Sequence, residues 1–215
     1  MGRPEDVQKF GELLANASAL VGSNYFLLPM ANKQDGPPLI FARERVYAYE
    51  LYHRLRCLWP DWSYSIGGEI DKTGHPILRG DKLDKAKPDL LVHRPGRMDQ
   101  NLVAIEIKAA SPKPPNNERD RIKKDLDKLA AFCNTVKYER GLLLVFGKEI
   151  ARIQKHLKKI AENGFRFDSL ELWHQSEPGK QAHKIPWVAS DTCTESSLTL
   201  FSHPWHMMKL LSVPP

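Results

Sequence analysis

The sequence predicts an α/β fold, with a mixed central β-sheet flanked by helices. Three observations point there. Apolar residues recur at helical spacing over residues 4–22, 39–58 and 117–132. Short runs rich in Val, Ile and Leu lie at 88–93, 102–109 and 141–146. Their order along the chain is helix, strand, strand, strand, helix, strand, helix, which suits one sheet covered by helices.

Phe10, Leu13, Leu14, Ala17, Leu20 and Val21 form the stripe of the first helix, and Gly22 stops it. Residues 29–38 hold three prolines and a glycine and read as a loop. Ala48, Leu51, Leu55 and Leu58 mark a second helix over 39–58, with Glu44 one turn earlier on the same stripe and Pro60 closing it. Residues 63–71 read as a short strand bent at Gly67-Gly68. A charged loop over 71–87 leads to a strand at 88–93, a turn at Pro95-Gly96 and a strand at 102–109. Pro112, Pro114 and Pro115 break the pattern before a helix over 117–132, with Asn116 or Asn117 as its cap. The unbroken apolar run 141–146 predicts a strand buried on both faces. A basic helix over 148–163 ends at Gly164. Short strands at 169–173, 185–189 and 197–201 complete the reading. The expected organisation is an N-terminal helix and linker (1–38), a core (39–164) and a C-terminal extension packed on it (165–215).

The strand over 102–109 carries the chemistry. Side chains alternate faces along a strand, so Val103, Ile105 and Ile107 point one way and Ala104, Glu106 and Lys108 the other. Burying an acid and a lysine costs several kcal/mol unless they are paired. A bound cation or an ordinary ion pair on an exposed face would each meet that need. The short connection after residues 88–93 favours an antiparallel hairpin. Asp89 starts one strand and Glu106 lies late in the other, so pairing brings the two carboxylates together to share a hard divalent ion.

Pro88-Asp89 followed by Glu106-Ile107-Lys108 resembles the PD-(D/E)xK nuclease superfamily, over roughly residues 41–146. The resemblance implies a restriction-endonuclease-like core and a Mg2+-dependent deoxyribonuclease, with Mn2+ able to substitute. It implies that Asp89 and Glu106 bind the metal, with the backbone carbonyl of Ile107 as a further ligand. Lys108 would position the attacking water, help deprotonate it and stabilise charge on the phosphate. Glu69 and, as additional candidates, Glu44 and Lys128 would complete the site; Glu50 competes with Glu44 on the same helix. Asp125 reads as a surface residue.

The net charge of +6 suits a polyanionic partner without requiring one. Arg79, Lys82, Lys85 and Lys87 precede Asp89, while Lys113, Arg119, Arg121, Lys123 and Lys124 follow Lys108. They read either as phosphate contacts to DNA or as solvated faces. The same choice applies to Lys148, Arg152, Lys155, Lys158 and Lys159. His203, His206 and Cys193 lack the spacing of a common zinc module. No phosphate-loop motif calls for a nucleotide cofactor. Cys57, Cys133 and Cys193 read as reduced thiols, and with no signal-peptide pattern or long apolar run the expected setting is cytoplasmic, away from membranes. A homodimer stays open. Two rivals share the fold: a non-catalytic module binding nucleic acid or protein, and an RNA-directed nuclease.

Overall fold

The computed structural model describes residues 4–30, 39–68, 87–97, 100–112 and 114–188. Glu69, the loop basics Arg79, Lys82, Lys85 and Lys113, the strand expected at 197–201, and Cys193, His203 and His206 lie outside them. The protein is mixed α/β, with a six-stranded mixed sheet between two helical layers.

Helix α1 (Pro4–Ala19) is followed by a single turn, α2 (Ser23–Phe26). Strands β1 (Leu28–Met30) and β2 (Leu39–Phe41) form a small antiparallel ribbon. Helix α3 (Glu44–Leu58) therefore starts five residues later than the apolar stripe predicted. The reason is local: Arg43 is extended, with φ −113° and ψ 106°, and residues 39–41 use their backbone groups to pair with β1. The loop expected at 29–38 likewise begins inside a strand.

The main sheet comprises β3 (Ser65–Gly68), β4 (Leu90–His93), β5 (Asn101–Ala109), β6 (Tyr138–Phe146), β7 (Leu170–Gln175) and β8 (His183–Ile185), in sequential order. The β3–β4, β4–β5 and β7–β8 pairs are antiparallel; β5–β6 and β6–β7 are parallel. Parallel neighbours need crossovers, supplied by α4 (Glu118–Asn134) and α5 (Ile150–Glu162). The expected hairpin over 88–109 is present as β4–β5. The strand expected at 185–189 is displaced: the chain pairs with β7 at 183–185 instead.

Alternation along the strands builds two cores. Val103, Ile105, Ile107, Leu142, Leu144 and Phe146 face α1 and α3, meeting Phe10, Leu14, Tyr47 and Leu51. Ala104, Leu143 and Val145 face α4 and α5, meeting Ile122, Leu126, Leu129, Leu157 and Ile160. Strand β6 is buried on both faces from Gly141 to Phe146, as its apolar run predicts. Helix α1 belongs to the same core as α3, with Phe10 and Leu14 fully buried. Burying such side chains stabilises a fold by about 1.5–3 kcal/mol each. No described helix is long and apolar enough to cross a membrane.

One buried polar node joins distant parts of the chain. The Gln175 side chain is fully buried, accepts a hydrogen bond from the Tyr47 hydroxyl, and donates to the carbonyls of Ser18 (2.8 Å) and Lys180 (2.9 Å). It links the end of α1, the first turn of α3 and the turn before β8.

Candidate active site

The site forms where β5 outruns β4. The antiparallel register pairs Leu90 with Ile105, so one step further Asp89 comes opposite Glu106. Strand β4 starts only at Leu90, after the buried Pro88. The N–H of Ile107 therefore has no ladder partner on that edge, and it donates to Oδ2 of Asp89 at 2.7 Å. Both backbone groups of one strand residue project to the same edge, which aims the Ile107 carbonyl into the same gap.

Glu106 and Lys108 lie on the α4 side, as the alternation predicts, but neither takes the other as its partner. Nζ of Lys128 stands 2.7 Å from Oε1 of Glu106. Nζ of Lys108 stands 2.9 Å from Oδ2 of Asp125 and 3.2 Å from Oε2 of Glu44. Asp125 also faces Lys128 at 3.8 Å. Glu44, at the first turn of α3, accepts from the Ala109 N–H at 3.3 Å and faces Arg121 at 3.4 Å. The site is thus closed from one side by α3 and from the other by α4.

Asp89, Glu106 and Lys108 are brought together, and Glu44 and Lys128 join them. Glu50 does not: it is buried one and a half turns along α3 and pairs with Arg54 at 2.6 Å. The surface reading of Asp125 is overturned, because its relative exposure is 8% and it holds Lys108. The signal was available. Asp125 sits among Ile122, Leu126 and Leu129, on the apolar stripe of α4, and an acid on a buried stripe needs a partner.

Electrostatics follow from this burial. Burial first and the neighbouring Asp89 second, against the opposing Lys128, raise the Glu106 carboxyl to about 8. Burial also raises Asp89, against the Ile107 hydrogen bond and the two lysines. For Lys108, burial works to lower the pKa, but Asp125 and Glu44 outweigh it and the net shift is upward. Lys108 is therefore an ammonium at neutral pH.

Four carboxylates (Glu44, Asp89, Glu106 and Asp125) face two ammonium groups and the single guanidinium of Arg121. The acids outnumber these cations by one only when Glu106 is ionised, and burial, the first cause of its raised pKa, holds its proton. Among the described residues no three His, Cys, Asp or Glu side chains gather into a ready-made metal cage. The fit to a hard divalent cation rests instead on two adjoining carboxylates and a backbone carbonyl. Mg2+ is commonly held by one or two carboxylates plus waters.

The basic helix α5 is partly committed elsewhere. Arg152 bonds to Glu118 (Nε, 2.9 Å) and to the carbonyl of Ser111 (2.6 Å), tying α5 to the start of α4. Lys123 pairs with Asp127, and Arg119 with the exposed Asp120. Lys87, just before the site, is exposed.

No protein-family model matches the chain, and no curated protein matches it.

Proposed function

We propose that the protein is a Mg2+-dependent phosphodiester hydrolase acting on DNA, a member of the PD-(D/E)xK group in which Mn2+ can replace Mg2+. One observation carries this reading: Asp89 and Glu106 converge at the open end of β5 beside the Lys108 ammonium. Asp89, Glu106 and the Ile107 carbonyl would hold the cation. When bound, it would polarise a phosphoryl oxygen and lower the pKa of a water.

The chain's own residues then divide the remaining work. Asp125 and Glu44 fix the Lys108 ammonium and keep it protonated, so Lys108 cannot take a proton from water. Its task is to donate, holding the water or a non-bridging phosphate oxygen as charge develops. Glu44 supports that ammonium from α3, and Asp125 from α4. Lys128 stands against Glu106 and is the cation that a metal ion would displace.

That last contact also favours the rival reading, a binding module whose charges are satisfied internally. Plasmid DNA incubated with Mg2+, Mn2+ or EDTA separates the two. Wild-type protein should cut with either metal and not in EDTA, and Asp89→Ala and Lys108→Ala should each lower the rate at least a hundredfold. Equal cutting by all three proteins, or binding without any cutting, would overturn the assignment. An RNA substrate run in parallel reports the sugar preference.

A further inference from the structure

We infer that the DNA acted on carries an unpaired nucleotide beside the scissile phosphate, and that the exposed face of α3 receives its base. The inference rests on the proposed hydrolysis for where the phosphate sits. A hollow of about 520 Å³ opens between α3 and the facing ends of β3 and β4. Asp89 and Glu44 line it together with Arg45, Tyr49 and Tyr52. It falls in the range of pockets that take one nucleoside-sized ligand, about 300–1,000 Å³.

Tyr49 and Tyr52 are three residues apart on α3, so their rings lie on one face of the helix. Tyr52 is half-buried against the core, which fixes its ring. Tyr49 is 58% exposed, an unusual outlay of aromatic surface for a residue beside buried charges. Exposed aromatic rings next to arginine are the means by which proteins hold unpaired nucleic acid, because every base offers a flat face. A paired base stays inside the duplex stack and would reach this hollow only by extrusion.

The hollow continues in the right chemistry past the acids. Glu44 also lines a second hollow of about 600 Å³, with Arg43, Arg121 and the exposed Phe41. Glu44 thus lines two hollows, each of which also has an aromatic ring and an arginine in its wall. The acids repel a phosphate backbone unless a cation sits between them, whereas the arginines in both hollows attract it. A strand threaded across α3, with its phosphate at Asp89, meets both hollows.

Binding measured in Mg2+ on DNA with a hydrolysis-resistant phosphorothioate backbone tests this apart from cutting. Fluorescence anisotropy is read with labelled single-stranded, splayed-arm and blunt duplex DNA. The wild-type protein should prefer the first two. Tyr49→Ala should weaken them about tenfold, Tyr49→Phe should stay within about threefold of wild type, and blunt duplex binding should not change. Equal affinity of Tyr49→Ala and wild type for single strands, an equal loss on duplex, or no DNA binding at all would overturn the inference. If metal-dependent cutting is present but Tyr49→Ala binds normally, this inference falls and the hydrolase reading stands. If single-strand binding depends on Tyr49 but no metal supports cutting, the reverse holds.

Discussion

Glu106 is the residue whose environment is most at odds with its charge. Its exposure is 2%, and its carboxyl titrates near 8 against an ordinary 4.5. An acid with a raised folded pKa keeps a proton that the unfolded chain has already released. The folded state therefore loses stability as pH climbs from about 4.5 to about 8, where the unfolded chain binds fewer protons. Glu106→Gln removes that loss. In EDTA its advantage over wild type should grow across this window and level off above it, by up to about 5 kcal/mol between pH 4 and pH 9 in urea unfolding. A difference that does not vary with pH would contradict the argument. At this scale the strand acids and Lys108 were legible in the sequence, because alternation fixes which side chains share a face. Glu44 against Glu50 was not, since both lie on one helix and only the placement of α3 against Ala109 selects between them. Asp125 was missed because its neighbours along the chain, Lys124 and Asp127, suggest a solvated face.

At the scale of elements, the joint between β6 and α5 carries the tightest backbone demand. Gly147 has φ +111°, and a Cβ there would lie 2.6 Å from the carbonyl oxygen of Ala110, at the exit of β5. Gly147→Ala faces both the left-handed conformation and a backbone clash. It should destabilise the protein by about 2–3 kcal/mol, seen as a lowered urea midpoint with an unchanged slope. A neutral result would mean that the β5 and β6 exits move apart freely. Strands β5 and β6 and helices α1 and α4 were readable from their apolar patterns, β4 from its short apolar run before a turn, and α5 from its basic run and the stop at Gly164. The β1–β2 ribbon and the delayed start of α3 were not. Residues 39–41 are apolar enough for either state, and the pairing that decides between them comes from β1, across the chain segment 31–38.

For the whole molecule, Gln175 is the point where three separate stretches of chain meet. Replacing it with leucine would leave the Tyr47 hydroxyl and the Ser18 and Lys180 carbonyls without their present partner. Gln175→Leu should cost about 2–4 kcal/mol by chemical denaturation. Tyr47→Phe combined with it should cost less than the sum of the two, because they share one hydrogen bond. Strict additivity would show that the node is not cooperative.

Lys108 is gripped by an acid from each of two helical layers that pack on opposite faces of the sheet. Its position is therefore a gauge of the thickness of the sandwich. Loosening either layer lengthens one of those contacts before any strand separates. On warming, chemistry that depends on this ammonium should fade ahead of the loss of secondary structure, and a change that tightens the fit of α3 or α4 far from the centre should be felt there first.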